Sequence, residues 1–197
     1  MQETIGQHIL ESIETKRRIL EDADLRGQML AATEMVIQAY KAGKKTLLAG
    51  NGGSAADAQH IAAEFVSRFY FDRPGLPSIA LTTDTSILTA IGNDFGYDIV
   101  FSRQVQALGT EGDVFLGIST SGNSPSILKA LAASKEKGIR TIGFTGETGG
   151  KMAELCDICL RIPSKDTPRI QESHILIGHI LCCLVEDAIF GHRKDGR

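Results

Sequence analysis

The stretch Lys44-Lys45-Thr46-Leu47-Leu48-Ala49-Gly50-Asn51-Gly52-Gly53-Ser54 decides the fold. A short apolar run ends in a glycine-rich turn, and the next residues, Ala55 to Phe69, carry a helical pattern. A strand that stops at glycine and serine and turns straight into a helix is half of a βαβ unit. The pattern recurs. Asp113 to Ser119 (DVFLGIS) leads through Thr120-Ser121-Gly122-Asn123-Ser124-Pro125 into a helix over Ser126 to Lys137. Pro125 suits the first helical position, and Gly138 suits a C-terminal cap. Ser78 to Leu81, Ile139 to Thr145 and Asp157 to Ile162 read as further strands, and Arg169 to Phe190 as a long last helix. Strands alternating with helices predict a doubly wound α/β fold, a parallel sheet covered on both faces.

Thr4 to Ala42 contains no proline and reads as one or two helices outside the sheet. Ile5, Ile9 and Ile13 recur every four residues, and Leu30, Met35, Val36 and Tyr40 resume the apolar pattern after an interruption at Asp22 to Gly27. Such a stripe must be buried, on the domain or on another subunit. The chain of 197 residues is therefore divided into a helical segment, 1–42, and one α/β domain, 43–197.

Hydrophobic residues at 42% and charged residues at 23% exclude a disordered chain. With 21 Lys+Arg against 24 Asp+Glu there is no broad field to attract nucleic acid or an anionic membrane. No run approaches the ~18 apolar residues that span a bilayer, and no basic segment followed by an apolar one opens the chain. The expected compartment is the cytoplasm. Cys156 and Cys159 form one C-x-x-C and Cys182 is adjacent to Cys183, which is not the pair of spaced pairs a zinc site wants. They read as strand residues on alternating sides and as two small apolar residues on a helix, with a redox role for Cys156 and Cys159 as the alternative.

Ligands of open α/β sheets bind beyond the carboxyl ends of the strands. Two loops there are rich in glycine and hydroxyls: Gly50-Asn51-Gly52-Gly53-Ser54, and Ser119-Thr120-Ser121-Gly122-Asn123-Ser124. Free amides, hydroxyls and helix N-termini together suit a phosphate monoester. Neither loop is a Walker A motif, and neither is G-x-G-x-x-G, so a dinucleotide is not indicated. The alternative is two ordinary turns with serine caps. On the helix after the first loop, His60 and Glu64 share one face. They suit a divalent metal, a proton-transfer pair, or a plain exposed i,i+4 pair. Arg68 continues that face. The last helix carries Gln171, Glu172, His174 and His179. Gln171 and His179 are separated by ~12 Å of helix rise and about 80° of rotation, which leaves open one site or two, and one subunit or two.

Four motifs together resemble one family. They are Asn51 to His60 (NGGSAADAQH) with Glu64, Ala90 to Gly96 (AIGNDFG), Ser119 to Ser124 (STSGNS), and Arg169 to His174 (RIQESH) with His179. The chain is similar to the phosphoheptose isomerases, within the wider class of sugar isomerase (SIS) domains. The resemblance implies a five-stranded parallel sheet of flavodoxin-like winding, and a homotetramer in which the N-terminal and C-terminal helices pack, burying the early isoleucine stripe. It implies one zinc per subunit held by His60, Glu64, Gln171 and His179, with Glu64 and His179 as the acid–base pair. It implies substrate contacts from Asn51, Gly52, Gly53, Ser54, Glu64, Asn93, Asp94, Ser119, Thr120, Ser121, Ser124 and Gln171, with Asn93 and Asp94 in a turn-like segment. The implied reaction converts sedoheptulose 7-phosphate to D-glycero-D-manno-heptose 7-phosphate for bacterial surface polysaccharide such as lipopolysaccharide. Two alternatives share the fold: a non-catalytic SIS scaffold for a replication-initiator protein, and a sugar-phosphate sensor. A scaffold has no need of all four ligands.

Overall fold

The computed structural model describes residues 1–191. Two helices open the chain, α1 (Gln2–Glu21) and α2 (Ala23–Lys41). The break falls at Asp22, whose side chain accepts from the Leu25 N–H at 2.8 Å and caps α2. Then come β1 (Thr46–Gly50), α3 (Gly53–Val66), β2 (Ser78–Ala80), α4 (Thr85–Phe95), a 3-10 turn (Tyr97–Ile99) and α5 (Val100–Leu108). The second half runs β3 (Val114–Ile118), α6 (Pro125–Glu136), β4 (Arg140–Thr145), α7 (Met152–Leu155), β5 (Ile158–Arg161) and α8 (Thr167–Phe190). The five strands are parallel, in the order β2-β1-β3-β4-β5.

Alternate strand residues feed two cores. Leu48, Leu116, Ile118, Ile142, Phe144 and Leu160 pack under α2, α3 and α8. Leu47, Ala49 and Phe115 pack under α5 and α6. β1 and β3 are fully buried, which explains their near-continuous apolar sequence.

Three readings change. The segment between β2 and β3, unassigned from sequence, holds α4 and α5; Ile87, Leu88, Ile91 and Phe95 line one face of α4, and Leu88 and Ile91 pack against the core under α5 and α6. Asn93 and Asp94 are not in a turn but in the last turn of α4. α8 is, by length and composition, apolar enough to cross a bilayer, against the sequence reading that no run comes near that length. Here it is a core helix: the face that buries Ile170, Ile177, Leu181 and Val185 also buries Arg169, His174 and Glu186, each hydrogen-bonded within the protein. Arg169 Nη1 donates to the His8 carbonyl at 2.7 Å and Ser12 Oγ to Glu172 Oε2 at 2.8 Å, which ties α1 to α8. The isoleucine stripe is left exposed on the single chain, where Ile5, Ile9 and Ile13 join Leu10 and Leu20 in an apolar face.

Candidate active site

The strand order reverses between β1 and β3, and a crevice opens at such a point beyond the strand ends. Gly50 pairs with Ile118, so the two glycine- and hydroxyl-rich loops leave the sheet side by side. Gly52 has φ +57°, a backbone region closed to most side chains, which turns the chain abruptly into α3. Ser54 is buried at the start of that helix.

Asn51 joins the loops. Its Nδ2 donates to Ser124 Oγ at 2.8 Å and to Ser126 Oγ at 3.0 Å, and its Oδ1 accepts from the Tyr97 hydroxyl at 2.8 Å. Ser124 therefore does not cap α6 with its side chain, although Pro125 begins that helix as expected. Its hydroxyl faces the crevice partner instead, and the first α6 amides have no side-chain acceptor. Ser119 Oγ lies 3.4 Å from Ser121 Oγ, and Ser121 Oγ accepts from the Asn123 N–H at 3.2 Å. Thr120 and Ser121 line a cavity of about 300 Å³ with Gly146, Glu147, Ser164 and Lys165.

α3 and α8 lie against each other and bring three side chains together. His60 Nε2 is 3.1 Å from Glu64 Oε1, and His179 Nε2 is 3.3 Å from His60 Nε2. One ligand atom from each of the three lies within 4.8 Å of the others. A Cβ on Gly178 would stand 2.6 Å from Ile61 Cδ1, so the missing side chain lets α8 close on α3 next to the two histidines. Four-coordinate zinc with bonds of about 2.0–2.1 Å places its ligand atoms about 3.3 Å apart. Two imidazole nitrogens and a carboxylate oxygen at this spacing fit such an ion. Gln171 lies further up α8, against Gly53, where an added Cβ would meet its Nε2 at 2.6 Å. It stands at the glycine-loop end of the cluster. Asn93 donates to Asp94 Oδ1 at 2.8 Å, and both are exposed.

A buried ion pair braces the cluster. Glu186 accepts from the Phe69 N–H at 2.8 Å, the Tyr70 N–H at 2.7 Å and Arg73 Nε at 2.9 Å. Arg73 also donates to the carbonyls of Phe65 at 2.6 Å and of Glu64 itself at 2.8 Å. The Phe69 ring packs 5.7 Å from that of His179. The hydrogen bonds and Arg73 hold the Glu186 carboxyl below its ordinary pKa against the opposing effect of burial.

The sequence reading missed Ser126, Tyr97, Arg73, Glu186 and Asp57. Asp57 lies one turn before His60, with a buried Oδ2 that has no hydrogen-bond partner; burial pushes its carboxyl up to about 6, while His60 pulls the other way. Two of these carry a sequence signal: Ser126 is a further hydroxyl one position past Pro125, and Asp57 stands inside the motif Asn51 to His60, three residues before His60.

The fold and the two loops define a SIS-domain protein, and the family model of that domain matches residues 8–146. The chain is 66% identical over 193 residues to the phosphoheptose isomerase of Aneurinibacillus thermoaerophilus, covering 98% of each. It is 66% identical over 187 residues to phosphoheptose isomerase 2 of Campylobacter jejuni, covering 95% of this chain and 93% of that one. The solved phosphoheptose isomerase of Neisseria gonorrhoeae superposes with a TM-score of 0.89 at 46% identity, over 94% of this chain and 98% of that one. The chain belongs to the phosphoheptose isomerase family and is an isomerase.

Proposed function

We propose that this isomerase interconverts sedoheptulose 7-phosphate and D-glycero-D-manno-heptose 7-phosphate, supplying heptose for bacterial surface polysaccharide. The observation that carries the reading is the three-ligand cluster of His60, Glu64 and His179 at the crevice between two phosphate-suited loops. The hydroxyls of Ser119, Thr120, Ser121 and Ser124, at the N-terminal end of α6, take the phosphate. Asn51, Gly52, Gly53, Ser54, Asn93 and Asp94 hold the sugar. Gln171 serves both the sugar and, as fourth ligand, the metal.

Moving a carbonyl from C2 to C1 needs three things: a base for the C1 proton, delivery of that proton to C2, and a group to move a proton between the two oxygens. Glu64 takes the carbon-bound proton and returns it to the neighbouring carbon. His179 serves the oxygens. Glu64 has two oxygens and His179 two nitrogens, so each can give one atom to the cation and one to a proton. A zinc ion, one per subunit, would be held by His60, Glu64, Gln171 and His179 and would supply Lewis-acid stabilisation of negative charge on the sugar oxygens. The exposed apolar face of α1 supports a homotetramer in which residues 1–42 form subunit contacts and 43–197 the isomerase domain. Four free thiols agree with the cytoplasm. The test is NMR of sedoheptulose 7-phosphate mixed with purified protein. Appearance of the aldose supports the reading, and binding without product overturns it in favour of a sensor.

A further inference from the structure

The C-x-x-C motif plays no part in the chemistry above. We propose that Cys156 and Cys159 form a thiol–disulfide exchange site for low-molecular-weight disulfides, placed directly behind the hydroxyl-lined loop. The two residues are not on opposite sides of a strand, as alternation along the sequence predicts. Cys156 precedes β5 and ends α7, its N–H bonded to the Met152 carbonyl at 3.0 Å, whereas Cys159 is inside β5 and pairs with Gly143. Both sulfurs converge on that glycine: a Cβ there would lie 2.7 Å from Cys156 Sγ and 3.5 Å from Cys159 Sγ. The missing side chain on β4 is the space the two thiols share.

The pair is reachable and polarised. Both cysteines line a cavity of about 330 Å³ together with Gln28, Asp157 and Arg161. Thr145 Oγ1 lies 3.6 Å from Cys159 Sγ. The Cys156 thiol, the Thr145 hydroxyl and the Arg161 charge bring the Cys159 thiol down to about 7 against the effect of burial, while Cys156 is pushed up by its neighbour. A thiol near ambient pH is the effective nucleophile in exchange. The Cys159 thiolate attacks one sulfur of the incoming disulfide, whose S–S bond breaks and releases one thiolate that takes a proton from solvent. Cys156 then gives its proton to solvent and attacks the Cys159 sulfur, closing the intramolecular disulfide and releasing the second thiolate. The dithiol loses two electrons and two protons, and the small disulfide becomes two thiols.

α7 and the residue before it, Lys151, link this site to the loop. The Met152 N–H donates to the Gly122 carbonyl at 3.1 Å and the Lys151 N–H to Asn123 Oδ1 at 3.0 Å. Drawing Cys156 toward β5 pulls on both bonds, so oxidation weakens binding of the phosphorylated substrate. This consequence rests on the proposed phosphate site, whereas the thiol chemistry does not.

The experiment exposes the full-length protein to glutathione disulfide, quenches by alkylation and maps thiols by mass spectrometry. The peptide carrying Cys156 and Cys159 is expected to lose two hydrogens while Cys182 and Cys183 stay alkylated. Cys156→Ser should accumulate one glutathione adduct at Cys159, and Cys159→Ser should react at least several-fold more slowly. Unmodified Cys156 and Cys159, or adducts confined to Cys182 and Cys183, would overturn the site. Oxidised wild type should show a several-fold higher KM with kcat nearly kept, and Cys156→Ser should lack the disulfide-dependent change. An unchanged KM in fully oxidised protein overturns the link through α7. A protein that exchanges thiols but never isomerises the heptulose phosphate overturns the substrate reading and leaves the thiol site standing.

Discussion

Replacing Glu186 by leucine removes the centre of the brace between α3 and α8. In the native protein Glu186 and Arg73 have side-chain exposures of 1% and 2%, and the carboxylate accepts three hydrogen bonds. The variant leaves a guanidinium uncompensated in a buried site, at a cost of about 3–5 kcal/mol. For a chain of 150–250 residues each kcal/mol lowers Tm by about 2–4 °C, so the expected fall is about 6–20 °C. Removing both charges, with Arg73→Met added, should restore part of the loss, because breaking one side of such a pair costs more than replacing both. The assay is thermal unfolding by circular dichroism at one protein concentration. The same brace holds the Glu64 carbonyl and sets Phe69 against His179, so metal affinity measured against a chromophoric chelator should fall as well. A Tm within 2 °C of wild type, by the same conversion under about 1 kcal/mol, would refute the reasoning.

Glu64→Gln should abolish isomerisation and leave the circular dichroism spectrum unchanged; near-normal turnover would remove its role as base. Ser121→Ala should raise KM for the sugar phosphate with a largely unchanged fold, and an unaltered KM would argue against the hydroxyl loop as the phosphate seat. His174 is buried, with Nε2 3.1 Å from the Thr145 carbonyl, and burial holds it down to about 4. Its folded pKa lies below the ordinary 6.5, so the stability tied to its neutral form is complete above pH 6.5 and is lost as pH falls toward 4. The shift corresponds to about 3 kcal/mol. Urea unfolding of wild type and His174→Gln across that range should show the wild type losing stability more steeply, and parallel curves would contradict this.

Periodicity made the sheet legible where a face is buried. The β1 and β3 runs and their loops could be read because both strands are buried throughout and end in glycine and hydroxyl residues. α4 carries two local signs, an apolar stripe of Ile87, Leu88, Ile91 and Phe95 and a cap at Asp84, which accepts from the Ile87 N–H at 2.9 Å, but none of its residues is fully buried. His60 and Glu64 were visible as an i,i+4 pair because both lie on one helix. His179 is 119 residues from His60, and their meeting depends on the Gly178–Ile61 contact between α3 and α8, which no local pattern encodes. The Arg73–Glu186 brace joins a loop to a helix 113 residues away and was hidden for the same reason. The cysteines show the opposite failure. Strand alternation predicts opposite sides for Cys156 and Cys159, but Cys156 lies outside β5, where alternation does not hold, and the two thiols face each other.

The most direct test of the account is a crystal of the zinc-loaded protein with anomalous data collected at the zinc edge. The account predicts one peak per subunit between α3 and α8, about 2.0–2.1 Å from the Nε2 atoms of His60 and His179 and bonded to Glu64. A peak elsewhere, or none with His60 and His179 still hydrogen-bonded to each other, would contradict it.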